Sequence, residues 1–243
     1  MNMKKILCIL LYMIAILKSN AQLNGKHAGN SGVGGNLTIQ NNDGSLIPIG
    51  VIEDTKGSPY LLETWSTAKV YLKNGKSYAD TAFNYSLFDN QLYYIKNNKI
   101  FKVSDSINEF TLIPGSDNSK NSIYESYHFA NGYPAINGIK TNTFFQVLTT
   151  GTKYQLLKWQ HKKINEVYTY GAKADSEYTS QFAYYIFDVD QQNMISIGNK
   201  ANTSKIKSTL SVDESIWQAY LKNQTGNSKD EKSMIDFVNY LNK

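Results

Sequence analysis

The sequence predicts a mainly β fold, an antiparallel sandwich or incomplete barrel, with a C-terminal α-helical hairpin over residues 211–243. Three observations lead to it. From Leu46 onward, short runs rich in Tyr, Phe, Val, Ile and Thr are punctuated by turn residues. The longest run, Glu177 to Phe187, is partly apolar on both faces, as in a strand central to a sandwich or a curled sheet. After Ser211 the apolar residues stop alternating and recur at helical spacing.

The chain opens Met1-Asn2-Met3-Lys4-Lys5, runs apolar from Ile6 to Leu17, and continues Lys18-Ser19-Asn20-Ala21 before Gln22. A charged start, a short apolar stretch and a small-x-small site make residues 1–21 a signal peptide. The apolar stretch spans only about 18 Å as a helix, short of the roughly 30 Å hydrocarbon core of a bilayer. Cleavage after Ala21 and a periplasmic or secreted mature chain without a transmembrane segment are therefore expected. Losing Lys4, Lys5 and Lys18 takes the 25 basic residues to 22 against 20 acids, a net charge of +2. That balance gives no footing for nucleic acid or anionic membrane as partner. The one cysteine, Cys8, leaves with the signal, so the mature chain has no disulfide and no thiol nucleophile or ligand. Arginine is absent, and with it the planar fork that grips phosphate in bidentate fashion.

Residues 22–45 are rich in Gly, Asn and Ser and read as a flexible lead-in to a single β-rich domain at 46–243. A phosphate loop would need Lys-Ser/Thr after its last glycine, but Asn36-Leu37 follows Gly35. Ala68 to Lys73 is a strand closed by Asn74-Gly75, a strong hairpin signal. Ala82 to Phe88 alternates Phe83, Tyr85 and Leu87 against Asn84 and Ser86. Asp89-Asn90 turns into Gln91 to Lys96, Asn97-Asn98 turns into Lys99 to Val103, and Glu109 to Ile113 completes a meander. Further strands are expected at Ile123–Phe129, Thr143–Thr149, Lys153–Gln160, Ile164–Tyr170, Glu177–Phe187 and Met194–Ile197. Thr150-Gly151 and His161-Lys162-Lys163 mark hairpin ends. In the tail, Ser211-Val212-Asp213-Glu214 and Ser228-Lys229-Asp230-Glu231 read as capping boxes. Their apolar stripes are Ile216, Trp217, Tyr220 and Leu221, then Met234, Phe237, Val238 and Leu241, with Gly226 as the stop between them.

Apparent chemistry fails on spacing. Ser66-Thr67-Ala68-Lys69 and Ser116-Asp117-Asn118 match two motifs of serine β-lactamases, but that chemistry places serine and lysine one helical turn apart and needs a Lys-Thr-Gly strand. Here Ser66 and Lys69 sit on a strand and point to opposite faces. Another Ser-x-x-Lys, Ser204 to Lys207, shows how readily the pattern arises. His27, His128 and His161 have no partner at metal-ligand spacing, and no Gly-x-Ser-x-Gly elbow is present. Asp188 to Asn193 lacks the glycine and glutamate of a calcium loop and reads as a hairpin turn. No catalytic residue, metal or cofactor is expected. Eighteen tyrosines and three tryptophans supply core pairs. Tyr93, Tyr94, Tyr184 and Tyr185 are the candidates for an exposed row that could hold a ligand.

Gly57-Ser58-Pro59-Tyr60, Trp65, Lys73-Asn74-Gly75-Lys76, Phe83-Asn84-Tyr85 and Asp89-Asn90-Gln91-Leu92 resemble an uncharacterised family of exported Bacteroidetes proteins. The tail segments Trp217 to Asn223 and Phe237 to Asn242 extend the resemblance. The family carries no established activity, so the resemblance implies export and no catalytic residue. It also implies O-glycosylation at Asp80-Thr81-Ala82 and Asp105-Ser106-Ile107. Three function classes stay open: a non-catalytic interaction protein with a protein, glycan or lipid partner, a carrier of lipid or another apolar ligand, and a hydrolase without a recognisable motif.

Overall fold

The structure is a computed structural model and describes residues 38–40, 46–48, 55–78, 81–97, 99–104, 106–115, 125–167, 175–224 and 229–243. The expected signal peptide, most of the expected lead-in with His27, Ser116-Asp117-Asn118, Gly226 and Ser228 lie outside these residues, as do Asp80 and Asp105 of the glycosylation-like tripeptides.

The strands are β1 (Thr38–Gln40), β2 (Leu46–Pro48), β3 (Thr55–Lys56), β4 (Ser66–Leu72), β5 (Ser77–Tyr78), β6 (Ala82–Ser86) and β7 (Gln91–Lys96). They continue as β8 (Lys99–Lys102), β9 (Ile107–Ile113), β10 (Tyr127–Ala130), β11 (Phe145–Thr149), β12 (Tyr154–Val167), β13 (Asp175–Asp188) and β14 (Asn193–Gly198). Helices α1 (Thr203–Thr209), α2 (Glu214–Asn223) and α3 (Glu231–Leu241) follow. The mainly β class with a helical C-terminal part is as the sequence predicts. All the strands belong to one sheet, with the order β14-β13-β12-β11-β10-β9-β4-β6-β7-β8-β1-β2, β3 on β13 and β5 on β4. The β1–β8 and β3–β13 pairs are parallel, so the sheet is mixed and open rather than two packed sheets.

The Asn74-Gly75 hairpin forms as expected: Gly75 takes φ +79°, and Leu72 N donates to Lys76 O at 2.9 Å. Four expectations are corrected. β9 pairs with β4 and not with β8, so the meander is broken by a return connection. That connection is bonded at one end to β7, through Val103 N to Leu92 O, and at the other to the end of β4, through Lys73 N to Ser106 O. His161-Lys162-Lys163 is no hairpin end, because β12 runs unbroken through it and pairs with β13 along all fourteen residues. Thr38–Gln40, inside the expected flexible lead-in, is a strand paired with β2. Finally, the described residues hold three helices, and neither cap in the tail is the predicted serine. Ser211 takes φ +51°, Asp213 precedes α2 without a side-chain cap bond, and Asp230 Oδ1 caps α3 by accepting from Ser233 N at 2.7 Å. α1 escaped the periodicity because it is short and has one buried apolar residue, Ile206.

Among the described residues the sheet buries three clusters. Between β4, β6, β7, β9 and β10, the ring of Tyr85 lies 5.3 Å from Phe110 and 4.8 Å from Phe129. β4 stands between β6 and β9 in the sheet, so these rings meet only because the sheet curls. On β12–β14, alternation divides the side chains between two covered faces. Leu156, Tyr184 and Ile186 meet Trp217, Tyr220, Met234, Phe237 and Val238 of the helices. Leu157, Tyr185 and Phe187 meet Tyr133, Ile136 and Ile139 of the preceding loop. The helices are too short to be stable alone and depend on this packing. Phe237 is fully buried between Trp217 and Tyr220, at ring distances of 5.1 and 4.7 Å. Phe237→Ala is expected to cost about 3–5 kcal/mol in urea denaturation. A cost below about 1 kcal/mol would mean that the helical layer is not part of the cooperative core.

Candidate binding site: an amide-lined recess

The four tyrosines singled out in the sequence do not form an exposed row. Tyr93 is buried edge-on to Tyr60 and its hydroxyl donates to Asp89 Oδ2 at 2.5 Å. Tyr94 is half-buried and stacks on Phe101. Tyr185 is buried edge-on to Phe145, and the buried Tyr184 donates its hydroxyl to Glu231 Oε2 at 2.7 Å. Their strands are covered on both faces, which a two-residue apolar period does not reveal.

Ser66 and Lys69 are as separate as the sequence suggests. Ser66 is buried on β4 while Lys69 is exposed on the other face. Ser204 is exposed at the start of α1, and Lys207 Nζ pairs with Glu214 Oε2 at 2.6 Å. His128 Nδ1 is 3.0 Å from Thr111 Oγ1, and its Nε2 lies 3.7 Å from Glu109. His161 stacks on Trp159. Asp188 Oδ1 accepts from Gln191 N at 2.9 Å, closing the β13–β14 turn in the manner expected of a hairpin. Among the described residues no three His, Cys, Asp or Glu side chains gather as metal ligands do.

A recess of about 170 Å³ opens where the β6–β7 turn, the 103–106 connection and the 131–144 segment meet. Asn90 builds it. At φ +58° it occupies the left-handed turn position that asparagine tolerates better than most residues. Its Oδ1 accepts from Tyr85 Oη at 2.7 Å and Phe144 N at 3.0 Å, and its Nδ2 donates to Asn142 O at 3.2 Å. One turn residue thus clamps a strand core to a segment more than fifty positions away. Asn131 holds the other wall: its Nδ2 donates to Ile107 O at 3.0 Å, while its Oδ1 is buried with no hydrogen-bond partner. Leu92, Val103 and Phe144 lie buried behind it, and Gln91, Asn142 and Lys73 add polar groups at its edge. The sequence marks Asn90 only as a turn residue. Asn131 and Asn142 carry no local signal, since their role comes from contacts distant in sequence.

A buried ion pair lies elsewhere, between β12 and the start of α3. Lys158 Nζ is 2.7 Å from Glu231 Oε2, with both side chains largely buried, and the Lys158 ammonium lies 5.3 Å from the Phe182 ring. Burial pushes the Glu231 carboxyl up to about 7 and lowers the Lys158 ammonium. A carboxyl raised in the folded state stabilises the fold while protonated, so its contribution is full below about pH 4.5 and is lost as pH rises through about 7. Glu231→Gln, which keeps the neutral form, should therefore gain stability relative to wild type across that window in pH-resolved urea melts. A constant difference would mean that Lys158 holds the carboxylate ionised throughout.

No protein-family model matches the chain, and no curated protein or solved structure matches it. The likeness to the exported Bacteroidetes family rests on the sequence motifs alone.

Proposed function

We propose that the chain is an exported, non-catalytic binding protein that recognises its partner at the amide-lined recess. The observation that carries this reading is the recess itself, edged by the accessible amides of Asn90, Gln91, Asn131 and Asn142 beside the exposed Lys73. Catalysis needs a nucleophile, acid or base beside a group that tunes it, whereas amides bind without changing protonation state. A lipid carrier needs a hollow between sheet and helices. That interface is instead filled by Trp217, Tyr220, Met234 and Phe237. Export is supported by the tripartite start and by the motifs shared with the exported family.

Two measurements test the reading. Mass spectrometry of the protein from its native host should begin at Gln22, and recovery with Met1 from the cytoplasm would sink the export proposal. A broad hydrolase screen should give no turnover above buffer. Turnover abolished by changing one of Ser66, His128 or His161 would replace binding with catalysis.

A further inference from the structure

We infer that the outer edge of β13 is a slot for one short extended peptide segment of another protein, which joins the sheet as a strand between β3 and β14. The slot lies apart from the recess and does not rest on the reading above. β12 runs along one edge of β13, so β3 and β14 share the other. β3 pairs there only at Ser176 and Glu177, and β14 only from Tyr184 to Asp188. Each neighbour leaves the edge at a glycine in the left-handed region, Gly57 at φ +86° and Gly198 at φ +109°. Lys162, opposite Ser180, sends its amide away from β13 to Leu87 O, so the backbone groups of that pair point away from each other. By alternation the N–H and C=O of Ser180 and Phe182 face outward, and among the described residues no hydrogen bond reaches them. Ser180, Gln181 and Phe182 are all exposed.

Three features select the occupant. Alternating donors and acceptors along one straight edge are matched by the backbone of another strand. The flanking pairs at Glu177 and Tyr184 stand roughly 24 Å apart at about 3.4 Å per residue, which admits a short segment and nothing longer. A second copy does not fit, because its own β13 is a fourteen-residue strand flanked by its own β14 and would run into β3 and β14 here. Lastly, Tyr178 to Ala183 contains none of the lysine, proline or charge that blunts an open edge. Phe182, 42% exposed, favours an apolar side chain beside it, whereas Thr179 and Gln181 on the other face favour polar ones.

The full mature chain is panned against a phage-displayed library of random linear peptides, and the best binder is synthesised and titrated by calorimetry. Ser180→Pro removes one outward donor and fills the edge, and it leaves the β12–β13 bonds in place because Ser180 takes no part in them. It is expected to weaken binding more than about tenfold, and Phe182→Ala about three- to tenfold. The peptide itself gives a test that needs no variant of the protein. N-methylation at the alternate residues whose amides face β13 should abolish binding, and N-methylation at the residues between them should be tolerated. The inference is overturned if no library peptide binds, if both variants bind as wild type does, or if N-methylation acts equally at every position. Binding kept by Ser180→Pro and lost on Asn142→Ala would put the peptide in the recess, overturning the slot and leaving the binding reading in place. A dimer of the chain that Ser180→Pro dissociates would mean that a second copy occupies the edge, and would overturn the inference too.

Discussion

The fourteen-residue ladder between β12 and β13 is the constraint on which the rest of the structure depends. It pairs Leu156 with Ile186 on one face and Leu157 with Tyr185 on the other. Because side chains alternate, a slip of one residue would send each set to the wrong cover, the helices or the 131–143 loop. Both covers are apolar and specific, so the register is fixed twice. The ladder also ties the two parts of the sheet together. Lys162 N donates to Leu87 O at 3.1 Å, and its ammonium donates to Ser58 O at 2.8 Å and Tyr60 O at 2.6 Å. Burial lowers the pKa of that ammonium, and the two carbonyls supply the polar partners it needs away from water.

The 55–64 segment is held in turn by the curled part of the sheet. Asn84, buried on β6, accepts from Leu62 N at 3.3 Å and donates to Leu62 O at 2.8 Å. A polar residue on the second face of a strand therefore marks a docked segment and not solvent. The same curl brings the Asp89-Asn90 turn against Phe144, and the recess is the space that this closure leaves. Its walls are hydrogen-bonded backbone and amide groups, held by contacts that also close the core. Such a site is preorganised, so little ordering cost remains to be met when a ligand arrives.

Much of the strand pattern is legible in the sequence, because turn chemistry and alternation are local. Asn74-Gly75, the bounds of β7 and the two-faced pattern of β13 all read directly. What fails is non-local. His161-Lys162-Lys163 resembles a turn because it is polar, but its histidine stacks on Trp159 and its central lysine has acceptors about a hundred residues earlier. β9 shows its own alternation and says nothing of its neighbour, so β8 looks as good a partner as β4. Helix positions are set by apolar stripes and were readable, whereas the cap moved two residues to Asp213 and Asp230, since several short polar residues compete at each start. The recess was invisible for the same reason as β9's partner: Asn90, Asn131 and Asn142 acquire meaning only when the curl brings them together.

Native-state hydrogen exchange tests the central claim, that the twice-covered β12–β13 ladder is the stability centre. Amides within 155–160 and 183–187 should exchange slowest, at the free energy of global unfolding. If amides of β6 and β7 outlast them, the curled part of the sheet carries the fold, and the dependence argued above is reversed.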